Sequence, residues 1–121
     1  MTVEWPDRRG DVLTGLDVFA SPLPTLTADG RDPRWPDLTN AVRWVVDDTD
    51  WDHRSAMESI GTLLVNEAEA VAVGQVVALV LEIGERQGAV SGDAAWFRDP
   101  DWPTLRQAAS LAAAVLRSNG G

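Results

Sequence analysis

The stretch from Glu67 to Gln87 limits most narrowly what this chain can become. Along it, Ala70, Val73, Val76, Val77, Val80, Leu81 and Ile83 recur at the three-and-four spacing of one helix face, and Glu67, Glu69, Glu82, Glu85 and Arg86 mark the wet side. The valines alone would also suit a strand. The run is too long for an ordinary strand, however, and it carries helix signals at both ends. Asn66 and Glu69 have the spacing of a capping pair, and Gly88 supplies a left-handed stop. An amphipathic helix of this length has to bury its face against neighbours, so the rest of the chain is read for helices that could cover it.

Three such segments follow. A first helix is expected from Asp32 to Pro36 onward, ending near Asp47, with Leu38, Ala41, Val42, Val45 and Val46 inward. Another begins at Ser55, where Ser55 and Glu58 match a capping box and Met57, Ile60, Leu63 and Leu64 supply an apolar stripe. The last is expected from Pro103 to Arg117, with Leu105, Ala108, Ala109, Leu111, Ala112, Val115 and Leu116 inward, after a short helical turn over 93–97. Asp99-Pro100-Asp101-Trp102-Pro103 repeats the pattern of Asp32-Pro33-Arg34-Trp35-Pro36. In both, an Asp cap and prolines set a helix entry and a Trp folds over the first turn. Upstream, Pro6, Gly10, Gly15, Pro22, Pro24, Gly30 and Pro33 punctuate residues 1–34, which read as an irregular N-terminal arm. Within it, Val12, Leu13, Leu16, Val18 and Phe19 suit either a short helix or an extended segment packed on the body. The expected fold is all-α: an antiparallel bundle of four to five helices over 35–119, with the arm over 1–34.

Composition removes several functions. A length of 121 residues favours one domain with an ordinary core. The absence of cysteine excludes a disulfide framework and thiolate chemistry. Nineteen carboxylates face ten arginines and no lysine, and the resulting charge of −9 repels nucleic-acid phosphates. Residues 1–20 carry Glu4, Asp7, Asp11 and Asp17, unlike a signal peptide. The longest apolar stretch, Val76 to Leu81, falls far short of the ~20 residues of a membrane span. A cytoplasmic protein with neither nucleic-acid nor membrane partners is therefore expected.

The acidic run Asp47-Asp48-Thr49-Asp50-Trp51-Asp52 is the most suggestive feature. Asp48, Asp50 and Asp52 alternate like the first ligands of a calcium loop, but His53 and Ser59 occupy the positions of its glycine and its closing glutamate. No metal is assigned. His53, the single histidine, could serve as a general base, but a surface or capping role suits it better, because Ser55 is too near in sequence to favour a triad. Glu67, Glu69, Glu82 and Glu85 do not reproduce the Glu-x-x-His pairs of di-iron bundles. Phosphate-loop, dinucleotide and zinc patterns are absent. No catalytic residue or cofactor follows. The candidates for partner binding are Asp47, Asp48, Asp50, Trp51 and Asp52. Their carboxylates crowd together at the negative end of a helix, a cost that a basic protein partner would relieve. Trp51 reads either as an exposed anchor or as a lid on the end of the bundle. The plainer reading of the whole run is a solvated capping loop.

Taken together, Asp47-Asp48-Thr49 with Trp51, Glu58-Ser59-Ile60-Gly61 before Leu63-Leu64, Asn66-Glu67-Ala68-Glu69-Ala70, and Trp102-Pro103 resemble a family of small actinobacterial helical proteins of unknown function. The likeness spans about residues 35 to 117 and leaves the segment before Trp35 outside. It implies a helical domain in a bacterial cytoplasm and carries no activity. The functional expectation is a non-enzymatic acidic protein-binding module, such as an immunity-like inhibitor of a basic protein. The alternative is a small-ligand binder or small enzyme with a Trp-lined pocket between helices.

Overall fold

The computed structural model describes residues 3–20, 41–87, 96 and 98–119. Among them the protein is all-α. Three helices, α1 (Pro6–Ala20), α2 (Glu67–Gln87) and α3 (Trp102–Ser118), share one core. A π turn, Arg43–Asp47, and a short 3-10 turn, Ala56–Ser59, lie between α1 and α2 in the chain.

Residues 6–20, expected to belong to an irregular arm, form a helix instead. Pro6 occupies its first position, where a missing amide hydrogen costs nothing, and Asp7 favours the positive end of the dipole. Val12, Leu16, Val18 and Phe19 are buried on one side. Gly15 is a packing residue. A Cβ there would stand 2.7 Å from Val45 Cγ2 and 3.1 Å from the Ala41 carbonyl, so glycine lets α1 lie directly against segment 41–47. Ahead of α1, the Glu4 and Trp5 amides donate to the carbonyls of Gly61 (3.0 Å) and Thr62 (2.9 Å).

Helix α2 has the expected bounds, and Ala70, Val73, Val76, Val77, Val80 and Ile83 are buried along it. Two residues differ from expectation. Leu81, placed inward, is 43% exposed, and Glu69, placed on the wet side, is fully buried. In α3, Leu105, Ala109, Ala112 and Leu116 face the core as expected, whereas Leu111 points outward and Ala113 takes an inner position. Trp102 is buried at the start of α3 and meets Phe19 of α1 edge to face, with centroids 6.4 Å apart. The Asp99 carbonyl accepts from Trp102 N at 3.0 Å and its Oδ1 from Asp101 N at 2.9 Å, with Pro103 in the first turn, but the expected Asp cap does not form: Asp101, at the N-cap, makes no side-chain cap hydrogen bond. The matching entry at 32–36 lies outside the described residues. So do residues 93–95 and 97 of the expected turn, while Trp96 is helical and buried.

The capping box at Ser55 forms. Ser55 N donates to Glu58 Oε2 at 3.1 Å, and Met57 N donates to Ser55 Oγ at 3.2 Å. The helix it should open does not continue past Ser59. The amides of Thr62, Leu63 and Leu64 converge on the Ser59 carbonyl at 3.0–3.1 Å, and Gly61 takes φ +99°. Met57 and Ile60, expected on an apolar stripe, consequently face solvent.

The helix ends are tied together. Asn119 Nδ2, just past α3, donates to Glu69 Oε2 in the first turn of α2 at 2.8 Å. Arg86, in the last turn of α2, reaches Asp99 and Asp101 at the entry to α3, both at 2.7 Å. Arg117 pairs with Asp17 of α1. Among the described residues, no helix is long and apolar enough to cross a membrane.

Candidate functional site

The acidic run owes its shape to the way the preceding helix stops. Asp48 N donates to the Arg43 carbonyl at 2.8 Å, closing the π turn. Trp51 N then reaches back to the Val46 carbonyl and Asp50 N to that of Asp47, both at 3.2 Å. This crossed pair, with Asp50 left-handed at φ 64°, is a Schellman stop in which aspartate stands where glycine is usual. Thr49 Oγ1 donates to the Val45 carbonyl at 2.8 Å, satisfying another helix-end acceptor.

The stop throws Trp51 back under the helix end. Its side chain is the lid, not the exposed anchor: Trp51 is 4% exposed, and Nε1 donates to the buried Ser59 Oγ at 2.9 Å. Asp47, Asp48, Asp50 and Asp52 all lie on the exposed side of the acidic loop. Arg54 Nε stands 3.4 Å from Asp50, and His53 Nε2 stands 3.4 Å from Asp52. Among the described residues Asp47 and Asp48 have no ion pair. The Asp48 carbonyl accepts from Arg8 Nη1 at 2.6 Å.

Beside the loop runs a groove of about 290 Å³, walled by Trp51, Arg54 and Ala56 on one side and by Gly74, Val77, Ala78 and Leu81 of α2 on the other. Asp50, Asp52 and His53 bring donor atoms within 4.8 Å of one another, all exposed. Three donors on one surface leave most of the shell of a divalent ion to water, which suits a weak contact rather than a resident ion. Ser55 Oγ is already engaged as an acceptor by Met57 N.

A buried, fully bonded carboxylate lies elsewhere and was missed in the sequence. Glu69 accepts from Arg9 twice, Nη1 to Oε1 at 2.7 Å and Nη2 to Oε2 at 2.8 Å. It also accepts from Val65 N and Asn119 Nδ2, each at 2.8 Å. Arg9 also donates from Nη1 to the Leu63 carbonyl (3.0 Å) and from Nη2 to the Leu116 carbonyl (3.2 Å). Burial pushes the Glu69 carboxyl up, but the Arg9, Val65 and Asn119 hydrogen bonds together hold it below its ordinary range. A signal existed: Glu69 precedes Val73, Val76 and Val80 in the same register, at the start of the buried stripe. A second cluster centres on buried Asp99. It is held well below the usual carboxylate range, chiefly by the Arg86 hydrogen bonds and further by Gln87 and the Asp101 amide. Both clusters join helices.

Fold and surface together define a small, acidic, all-α domain that presents a rigid carboxylate loop beside a shallow groove. The family model described as Domain of unknown function (DUF7945) matches residues 3–121, and the chain belongs to that family. The match takes in α1, which the resemblance read from the sequence had left outside. No curated protein matches the chain, and no solved structure does.

Proposed function

We propose that this domain is a non-enzymatic acidic protein-binding module, acting as an immunity-like inhibitor of a basic protein in the bacterial cytoplasm, on an antiparallel bundle of four to five helices. The observation that carries this reading is the placement of Asp47, Asp48, Asp50 and Asp52 on the exposed side of a loop clamped by Trp51. A loop fixed in advance loses little conformational freedom on association, so the repulsion among its carboxylates can be relieved by a cationic surface at low entropic cost. The overall charge of −9 would steer such a partner from a distance. The meeting of the first turn of α2 with the end of α3, and of the last turn of α2 with the start of α3, supports the antiparallel arrangement.

The test is capture from the native host at low salt. A basic protein that binds, leaves at about 0.5 M salt, and is not held by a variant carrying Asn at positions 47, 48, 50 and 52 supports the reading. Equal capture by the variant removes it. A second reading, a small-ligand site, is favoured by Trp51 forming one wall of the groove. Metabolite titrations followed by Trp fluorescence would then report saturable binding that is insensitive to salt.

A further inference from the structure

Along α2, Gly74, Ala78 and Leu81 line the groove at helical spacing, and Val71, one turn earlier, continues the same helix face beyond it. Val71 is 53% and Leu81 43% exposed. At 1.5 Å per residue this line is ~15 Å long, nearly three turns. Its length fits an elongated guest better than a compact metabolite. Gly74 and Ala78 at its centre let another backbone come close, and Trp51 and Ala56 form the opposite wall. Among the described residues the one charged group lining the groove is Arg54, while the charged groups that flank the lining residues along the chain are mostly acidic. Asp50 and Asp52 project from the loop, and exposed Glu82 and Glu85 stand one and two turns beyond Ala78, against Arg54 alone on the loop side.

We infer that this groove seats an amphipathic helix of the basic partner, with its apolar residues along the Val71–Leu81 line and its arginines or lysines against Asp50, Asp52, Glu82 and Glu85. The inference rests on the protein-binding reading above and deepens it by naming the element recognised. Charge selects this occupant over a second copy of the chain. Two copies meeting here would set these same carboxylates against one another on bodies that each carry −9.

The experiment titrates the full chain with a capped synthetic helical peptide bearing leucine at i, i+3, i+4 and i+7 and arginine elsewhere. Two control peptides replace arginine with glutamate or leucine with serine. Gly74→Leu fills the groove from within. A Cβ at Gly74 meets nothing within 4 Å, so the variant keeps its helix. Ala78→Gln blocks the same line from an exposed position. The expected result is binding of the leucine–arginine peptide that both variants weaken by about ten-fold or more. Asp50→Asn with Asp52→Asn should weaken it further and flatten its salt dependence, and neither control peptide should bind. Unchanged affinity in Gly74→Leu and Ala78→Gln, with loss in the aspartate variant, overturns the groove while leaving the broader acidic-surface reading standing. Binding of the serine control as tightly as the leucine peptide overturns it too, as does self-association of the chain that Gly74→Leu abolishes. Failure of the peptide to bind at all also overturns the groove, whereas the protein-binding reading stands or falls on salt-releasable capture.

Discussion

Glu69 carries a full charge where no water reaches it, and it is tolerable there only because Arg9, Val65 N and Asn119 satisfy both of its oxygens. Arg9→Ala would leave that charge uncompensated. We expect a loss of about 3–5 kcal/mol in urea unfolding. Replacing Arg9 and Glu69 together by leucine should recover much of the loss, because no buried charge then remains. Asp50 presents the opposite case, a residue whose backbone is mildly strained at φ 64°. Asp50→Gly should stabilise by about 0.5–1 kcal/mol, since its ion pair with Arg54 is exposed and contributes little. At this scale the sequence was half legible. The crowding of aspartates and the cap at Ser55 could be read directly, because both are local. Trp51 could be read only as two alternatives, anchor or lid, because the choice depends on how the chain turns after Val46.

Among the elements, glycine separates what local rules can say from what they cannot. Gly10 and Gly74 both lie in helices with open space around a Cβ, and replacing either with alanine should raise stability by about 0.5–1 kcal/mol in thermal melts. Gly15 carries the same intrinsic penalty, yet Gly15→Ala should cost about 1–3 kcal/mol, because the new methyl group meets Val45 and the Ala41 carbonyl. The same melts read both signs. Helices α2 and α3 were visible in the sequence through long three-and-four periodicity. Helix α1 was ambiguous because its glycines resemble breaks. The helix expected from Ser55 ended after one turn because the backbone turns extended at Ile60 and left-handed at Gly61, with φ +99°. A capping box starts a helix but does not decide how far it runs.

For the whole molecule, acid is the informative perturbation. Glu69 and Asp99 are both held below their ordinary values in the folded state, so each stabilises the fold fully above its unfolded value, near 4. That contribution fades as pH falls through the folded values. Urea midpoints should therefore hold steady from pH 7 to about 5.5 and drop below about 4.5. The drop should persist in high salt, because buried pairs are screened far less than the exposed aspartates. Asp99→Asn should make the acid slope shallower, and an unchanged slope would locate the effect elsewhere. Helical class, acidity, the absence of cysteine chemistry and the position of the carboxylate loop all follow from residue order, since periodicity, charge and capping act over a few neighbours. Which side of Trp51 faces water, that Glu69 lies inside, and that a groove opens beside α2 were settled by packing. The Arg9–Glu69 pair and the groove join segments far apart in the chain, and the Trp51–Ser59 contact depends on how the intervening loop turns, so spacing alone does not fix them.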